Sequence, residues 1–377
     1  SAAGFSGSPG VQLHRDGLQW AVYTRIESVS LIDNKLTIVS ICQGTQTQLI
    51  HCLALDHKTD VLAATTEIVN IGESSLWLDR CDAPCVPIPN HYSKILSFSG
   101  RWGNEFQLES IDRYMGAYVR ENRSGRTSHD SFPGVIVHPE QTNESSGSVY
   151  GLHLGWSGNH HVRVEEQFTG QAYAQLGELF LPGEMLLEPG QAYKSPVLFG
   201  ASTDKGLSAL SGAFHRYVRA KLTDRRITNK IRPVHFNTWE AVYFDLSLKR
   251  LCTLADHARE VGVERFVLDD GWFKNRKSDN AGLGDWTVDK AIFPAGLAPL
   301  INHVHKNDME FGLWIEPEMV NPDSDLYRAH PDWVLNTQPA PLLLARNQLV
   351  LDLTRVEVQD YLFERLDALL NEYPISY

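Results

Sequence analysis

Three short segments place tryptophan beside carboxylates: Asn237-Thr-Trp-Glu240, Asp269-Asp-Gly-Trp272 and Trp314-Ile-Glu-Pro-Glu318. A carboxylate accepts hydrogen bonds from hydroxyls and can move protons. An indole covers the apolar face of a sugar ring. Each segment stands at or just past an apolar run that reads as a strand: Val234-His-Phe236, Arg265-Phe-Val-Leu268 and Phe311-Gly-Leu313. Reactive groups of a parallel barrel gather at the C-terminal ends of its strands. Three such ends in one stretch point to a carbohydrate site.

Each group also has a plainer reading. Asp269 and Asp270 could serve as a helix cap and a solvated turn. They share a ligand only if the backbone turns there, and Gly271 permits that turn. Glu316 and Glu318 flank Pro317 and face one side of extended chain; surface ion pairs are the alternative. Trp239 and Trp314 compete with core placement, although an indole N–H at a strand end needs a partner. Five of the nine tryptophans fall between 239 and 333, which favours a sugar platform. Arg346, in Arg346-Asn-Gln348, is a rigid multidentate donor suited to hydroxyls, or else one half of a surface pair. From these residues glycosidic hydrolysis is the leading chemistry. It needs two carboxyl groups flanking the anomeric carbon, here Asp269 or Asp270 with Glu316 or Glu318.

Composition narrows the partners. The 377 residues are 42% hydrophobic and 21% charged, ordinary globular material with room for two or three domains. A net charge of −12 disfavours nucleic acid and anionic membranes, whose phosphates need a basic surface. No apolar run reaches the roughly 18 residues of a membrane span. Five thinly spread cysteines form no zinc pattern, so neither a metal nor a cofactor is expected, and a reduced, cytoplasmic setting fits them.

The elements change character along the chain. Residues 1–200 read as short strands separated by turn material such as Asp33-Asn34, the signature of an antiparallel β-sandwich. Residues 207–222 carry helical spacing and read as a connecting helix, with 223–231 as a linker, so 201–231 joins two domains. From 232 to 377 strands alternate with helices at 248–261, 297–306 and 356–370, the pattern of βα units on a parallel sheet. A closed eight-stranded barrel takes roughly 250 residues. The roughly 145 residues available here fit an open sheet or the first half of a barrel.

The chain closely resembles the α-galactosidases of glycoside hydrolase family thirty-six. The match runs through Asn237-Thr-Trp-Glu-Ala241-Val-Tyr-Phe-Asp245, Leu268-Asp-Asp-Gly-Trp-Phe273, Leu283-Gly-Asp-Trp286, Phe311-Gly-Leu-Trp-Ile-Glu-Pro-Glu-Met319, His330-Pro-Asp-Trp333 and Arg346-Asn-Gln-Leu-Val-Leu-Asp352. It reaches back to Gly125-Arg-Thr-Ser-His129 and Trp156-Ser-Gly-Asn159. The resemblance implies a β-sandwich followed by a (β/α)8 TIM barrel, of which this chain holds the first half. It implies an exo-acting, retaining enzyme for α-galactoside oligosaccharides of the melibiose or raffinose type. It implies sugar binding by Trp239, Asp269, Asp270, Trp314 and Arg346, and makes a homo-oligomer plausible. The family's nucleophile lies in a Lys-Trp-Asp motif after the fourth strand, and the acid/base further on. Both catalytic carboxylates are therefore expected beyond Tyr377, and the chain alone is expected to be inactive. A galactosyl transferase of the raffinose-synthase kind and a non-catalytic sugar-binding protein are the competing readings.

Overall fold

A computed structural model describes residues 5–127, 129–224, 226, 229–337 and 340–377. Ser128 of the Gly125–His129 motif and positions 225, 227 and 228 of the expected linker lie outside the described residues. The chain divides into two compact units, Ser1–Asn229 and Lys230–Tyr377.

The first unit is an antiparallel β-sandwich. Its large sheet runs through Arg25–Ile32, Lys35–Cys42, Thr47–Asp56 and Val61–Asn70, then Val197–Thr203, Val149–Gly155, Gly134–His138, Lys94–Arg101 and Asn104–Asp112, with Ala192–Lys194 pairing Val61–Asn70. The first hairpin closes at Asp33-Asn34, both at positive φ (48° and 66°), as a two-residue turn between right-twisted strands requires. A four-stranded sheet of Gly116–Asn122, His160–Glu166, Ala172–Glu178 and Val86–Ile88 packs against one half. Inward residues of both sheets, among them Ile95, Val135, Val137 and Leu154 with Val162, Val164, Ala174 and Leu176, form a common core. A second core joins Leu49 and Ile68 to Leu13, Leu76, Leu78 and Leu187 of a three-stranded sheet. The helix Gly206–Tyr217 belongs to this unit: Leu210 and Ala213 pack on Val61, Val149 and Ala201. It continues as one wider turn over Val218–Leu222.

The second unit is built of βα steps and forms a partial barrel. His235–Asn237, Arg265–Leu268 and Glu310–Leu313 are parallel, in register through Phe236, Phe266 and Phe311. Burial on both faces explains the apolar runs Phe266–Leu268 and Phe311–Leu313, whereas His235 and Asn237 of the first strand are exposed. The intervening helix Leu248–Glu260 starts at Ser247, whose hydroxyl accepts the Arg250 N–H at 3.3 Å. It stops at Gly262 (φ 89°), where Gly262 N and Val263 N bond back to Arg259 O and Ala258 O, both at 3.0 Å. The helix Ala298–Lys306 leads into the third strand. Leu251, Ala255, Phe266, Leu268, Leu300, Ile301, Val304 and Phe311 are fully buried between helices and sheet. Ser376 N donates to Phe311 O and Leu313 N to Tyr377 O, both at 2.9 Å, so the last residues lie along the third strand.

Three parallel strands do not close a barrel, so the ladder keeps edges that can template further pairing. Large apolar side chains also stand exposed, including Ile26, Val29 and Leu31 on one edge strand and Val261, Phe363 and Tyr377 in the second unit. The 377-residue polypeptide by itself is expected to self-associate. Light scattering across a concentration series checks this, and a monomer that melts cooperatively would contradict it.

Candidate functional site

Asp269 and Asp270 sit at the end of the second parallel strand, both largely buried. Gly271 turns the backbone there at a φ of 98°, a conformation that a side chain would strain. The Asp270 N–H donates to Asp269 Oδ1 at 2.7 Å, and the Asn237 side-chain amide donates to Asp269 Oδ2. Asn237 Oδ1 in turn accepts the Trp239 N–H at 2.8 Å, while Asp269 N donates to the buried Thr238 hydroxyl at 3.0 Å. The segment after the first strand is thereby tied to the acid pair.

Asp270 is held from beneath by Arg276, which is only 1% exposed. Nε lies 2.9 Å from Oδ1 and 3.1 Å from Oδ2, and Nη2 lies 2.7 Å from Oδ2. Nη1 donates to Ala281 O at 3.1 Å and to Asn321 Oδ1 at 2.9 Å. The guanidinium lies 5.6 Å from the Phe244 ring and 5.7 Å from the Phe273 ring. A planar fork fits a carboxylate in this way, and a lysine could not reproduce it. Phe244 also touches Trp239, ring centres 5.1 Å apart. Trp239 and Asp270 thus share one support.

Trp314 extends the third strand: its N–H donates to Leu268 O at 2.9 Å, and its own carbonyl accepts the Trp272 indole N–H at 2.9 Å. Two residues on, Glu316 is half-buried, and burial raises its carboxyl above the ordinary range. Arg346 opposes that shift, Glu318 adds to it, Arg276 opposes it and Asp270 adds to it. Gln348 Nε2 donates to Glu316 Oε2 at 3.5 Å, which brings the segment after the third strand against Arg346-Asn-Gln348. Arg346 and Asn347 form a two-residue turn at φ 52° and 60°, closed by Ala345–Gln348 backbone bonds of 3.1 and 3.0 Å.

Of the five residues chosen from the sequence, Asp269, Asp270, Trp239 and Trp314 stand at or just past the ends of the parallel strands, and Arg346 stands on the Ala345–Gln348 turn before a short antiparallel pair. The clustering of tryptophans needs correction. Trp272, Trp286 and Trp333 are 0%, 2% and 8% exposed and belong to the core, which leaves Trp239 and Trp314 as the accessible indoles. The choice of Asp270 as a proton-transfer group also meets an obstacle, because both its oxygens are bound by a buried cation. Two residues escaped the sequence reading, Arg276 and Asn321. A charged residue inside Phe273-Lys-Asn-Arg276 was a faint signal for the first; the second announces itself only through partners distant in sequence. A groove of about 370 Å³ lies elsewhere, in the first unit, lined by Phe98, Phe132, Phe199 and Phe214. That groove has no carboxylate in its lining, whereas the strand ends combine acids with accessible indoles.

The chain combines an antiparallel sandwich with a partial barrel that carries acids and indoles at its parallel strand ends, and this is the architecture to compare with known families. The family model of the glycosyl hydrolase family 36 N-terminal domain matches residues 1–188, and that of melibiase matches residues 192–377. The chain belongs to glycosyl hydrolase family 36. An alpha-galactosidase of Escherichia coli is 39% identical over 377 residues, 100% of this chain and 53% of that protein. The crystal structure of the alpha-galactosidase AgaB from Geobacillus stearothermophilus superposes with a TM-score of 0.93 at 32% identity, covering 99% of this chain and 54% of that one. A variant of AgaA from the same organism, in complex with raffinose, gives 0.92 at 31% identity over 98% and 54%. The chain spans about half the length of the relatives it matches.

Two outcomes follow from this geometry. Arg276→Met strands a buried carboxylate and should cost about 3–5 kcal/mol, whereas Arg276→Met with Asp270→Leu should cost clearly less. Urea midpoints of the second unit check the order, and equal losses would refute it. Glu316 holds its proton more tightly folded than unfolded. Its stabilising contribution is therefore complete below the ordinary carboxyl range and lost as pH rises through the raised folded value. Glu316→Gln should be near neutral at pH about 4 and stabilising at pH about 7, since it removes only the ionised form. A substitution effect independent of pH would count against this assignment.

Proposed function

We propose that this chain is the sugar-binding N-terminal portion of a retaining exo-α-galactosidase. In this reading Asp269 and Asp270 accept hydroxyl hydrogen bonds from a terminal galactosyl residue. Trp239 and Trp314 cover the apolar surface of the ring, and Arg346 donates to it. The observation that carries the reading is the buried Arg276 fork under Asp270. It keeps that carboxylate oriented, with both oxygens committed to accepting hydrogen bonds, which suits a binding group and not a proton shuttle. The relatives' names and the raffinose complex support the substrate class.

Retention by double displacement needs a nucleophile and an acid/base about 5 Å apart across the anomeric carbon. Asp269 and Asp270 are assigned to binding, and the family resemblance puts the nucleophile after the fourth strand and the acid/base further on, so we place both catalytic carboxylates outside residues 1–377. Hydroxyl contacts that tighten as the ring flattens toward an oxocarbenium ion would aid the reaction. The five cysteines are free thiols, in keeping with a cytoplasmic setting. No helix among the described residues is long and apolar enough to cross a membrane.

Residues 1–377 alone should show no turnover of an aryl α-galactoside above background, and the product of the complete reading frame should release galactose with retained configuration. In that longer protein Asp270→Asn should lower kcat/KM by about 10- to 100-fold, the worth of a hydrogen bond to a charged group. Galactosyl transfer to a saccharide acceptor in place of hydrolysis would favour the transferase reading. Turnover by residues 1–377 alone would refute the assignment.

A further inference from the structure

Arg346 and Asn347 both adopt left-handed backbone, which an arginine disfavours. Asn-Gly or Asp-Gly would suit a two-residue turn of this kind better. The turn is nevertheless in place, and it has an outside anchor. Asn321, 0% exposed, donates from Nδ2 to Asn347 O at 2.8 Å. The same Nδ2 donates to Asp279 O at 3.0 Å. Its Oδ1 accepts from Arg276 Nη1 and from Leu283 N, both at 2.9 Å. Its backbone is bound as well: Asn321 N donates to Leu283 O at 3.0 Å, and Asn321 O accepts the Ser324 hydroxyl at 2.8 Å. The amide's donor and acceptor ends are therefore both fully committed, in opposite directions. One end steadies the cation that grips Asp270, and the other steadies the turn that presents Arg346.

We propose that Asn321 is a positioning residue that ties the Arg346 turn to the Arg276–Asp270 pair, so that two sugar-facing groups are set as one unit. No other side chain fills both roles at this size. Aspartate keeps the acceptors, loses the donors and offers Arg276 a rival carboxylate. Leucine has the volume and neither function, and would leave the Asn347 carbonyl and an Arg276 N–H without partners. The role of the turn in substrate binding rests on the proposed galactosyl site; the anchoring of the turn does not.

The test uses the protein expressed from its complete reading frame and has two readouts. Amide hydrogen exchange at Ala345 and Gln348 reports the turn directly. Steady-state turnover of an aryl α-galactoside reports the site. Asn321→Ala should speed exchange at both amides and raise KM by about 3- to 10-fold, the worth of one lost hydrogen bond, with little change in kcat. Adding Asn347→Gly, which adopts the left-handed conformation freely, should restore turn protection and recover part of the lost KM. A purely structural asparagine would not be rescued by a glycine in a distant turn. If Asn321→Ala does not fold, Asn321→Ser, too short to reach Asn347, reads the same amides. Unchanged exchange at Ala345 and Gln348 would overturn the anchor. Loosened amides with unchanged KM would overturn its coupling to the site. An unsubstituted protein with no α-galactoside turnover would sink the galactosidase reading, while the exchange data would still decide the anchor.

Discussion

A single buried ion pair organises the strand-end face of the second unit. Removing a guanidinium and a carboxylate from water costs several kcal/mol per ion, and their attraction offsets this only when the remaining donors are satisfied. Arg276 meets that condition: Asp270, Ala281 O and Asn321 take its N–H groups, and the Phe244 and Phe273 rings flank it. Such a pair adds little net stability compared with a well-packed apolar substitute. What it does provide is geometry. The carboxylate cannot rotate without abandoning two donors in a low-dielectric interior, a restraint suited to the hydroxyl-accepting role proposed for it.

The parallel sheet explains why the restraint sits where it does. Strand interiors are buried on both faces, so Phe266, Leu268 and Phe311 contribute only packing. Polar groups become tolerable where the ladder ends. There Gly271 bends the chain, Asn237 and Thr238 bind the Asp269 segment, and Trp314 continues the hydrogen bonding by one residue before the chain turns away. Helix capping at Ser247 and termination at Gly262 fix where the second strand begins. The fixed strand length then carries Asp269 and Asp270 to its end.

The burial of Glu316 fits the same scheme. Its carboxyl lies within the fields of two cations and two other acids, with desolvation the largest influence. A cluster in which acids outnumber nearby cations would repel itself without a guanidinium at its base. Arg276 and Arg346 share the compensation. Arg276 is locked in the interior, and Arg346 is exposed on a strained turn. The fixed cation serves the scaffold, and the exposed one is the group proposed to meet the sugar.

Local pattern was enough to read much of this. Alternation and turn residues mark the sandwich strands, 3.6-residue spacing marks the helices, and an apolar run ending in Asp269-Asp270 marks a strand end; each signal depends on neighbours a few positions away. Residue type and position picked out Trp239, Trp314 and Arg346, and the family resemblance implied a sugar-binding role for each. The same logic misjudged Trp272, Trp286 and Trp333, because an indole in a core and an indole on a sugar platform look alike until burial is known. It passed over Arg276 and Asn321 for a related reason. Arg276 matters because Asp270 is within reach of its fork, and Asn321 because the peptide carbonyl of Asn347, 26 positions away, meets its amide. Which polar groups share a dry interior is a property of how distant segments pack, and no periodicity in the chain encodes it.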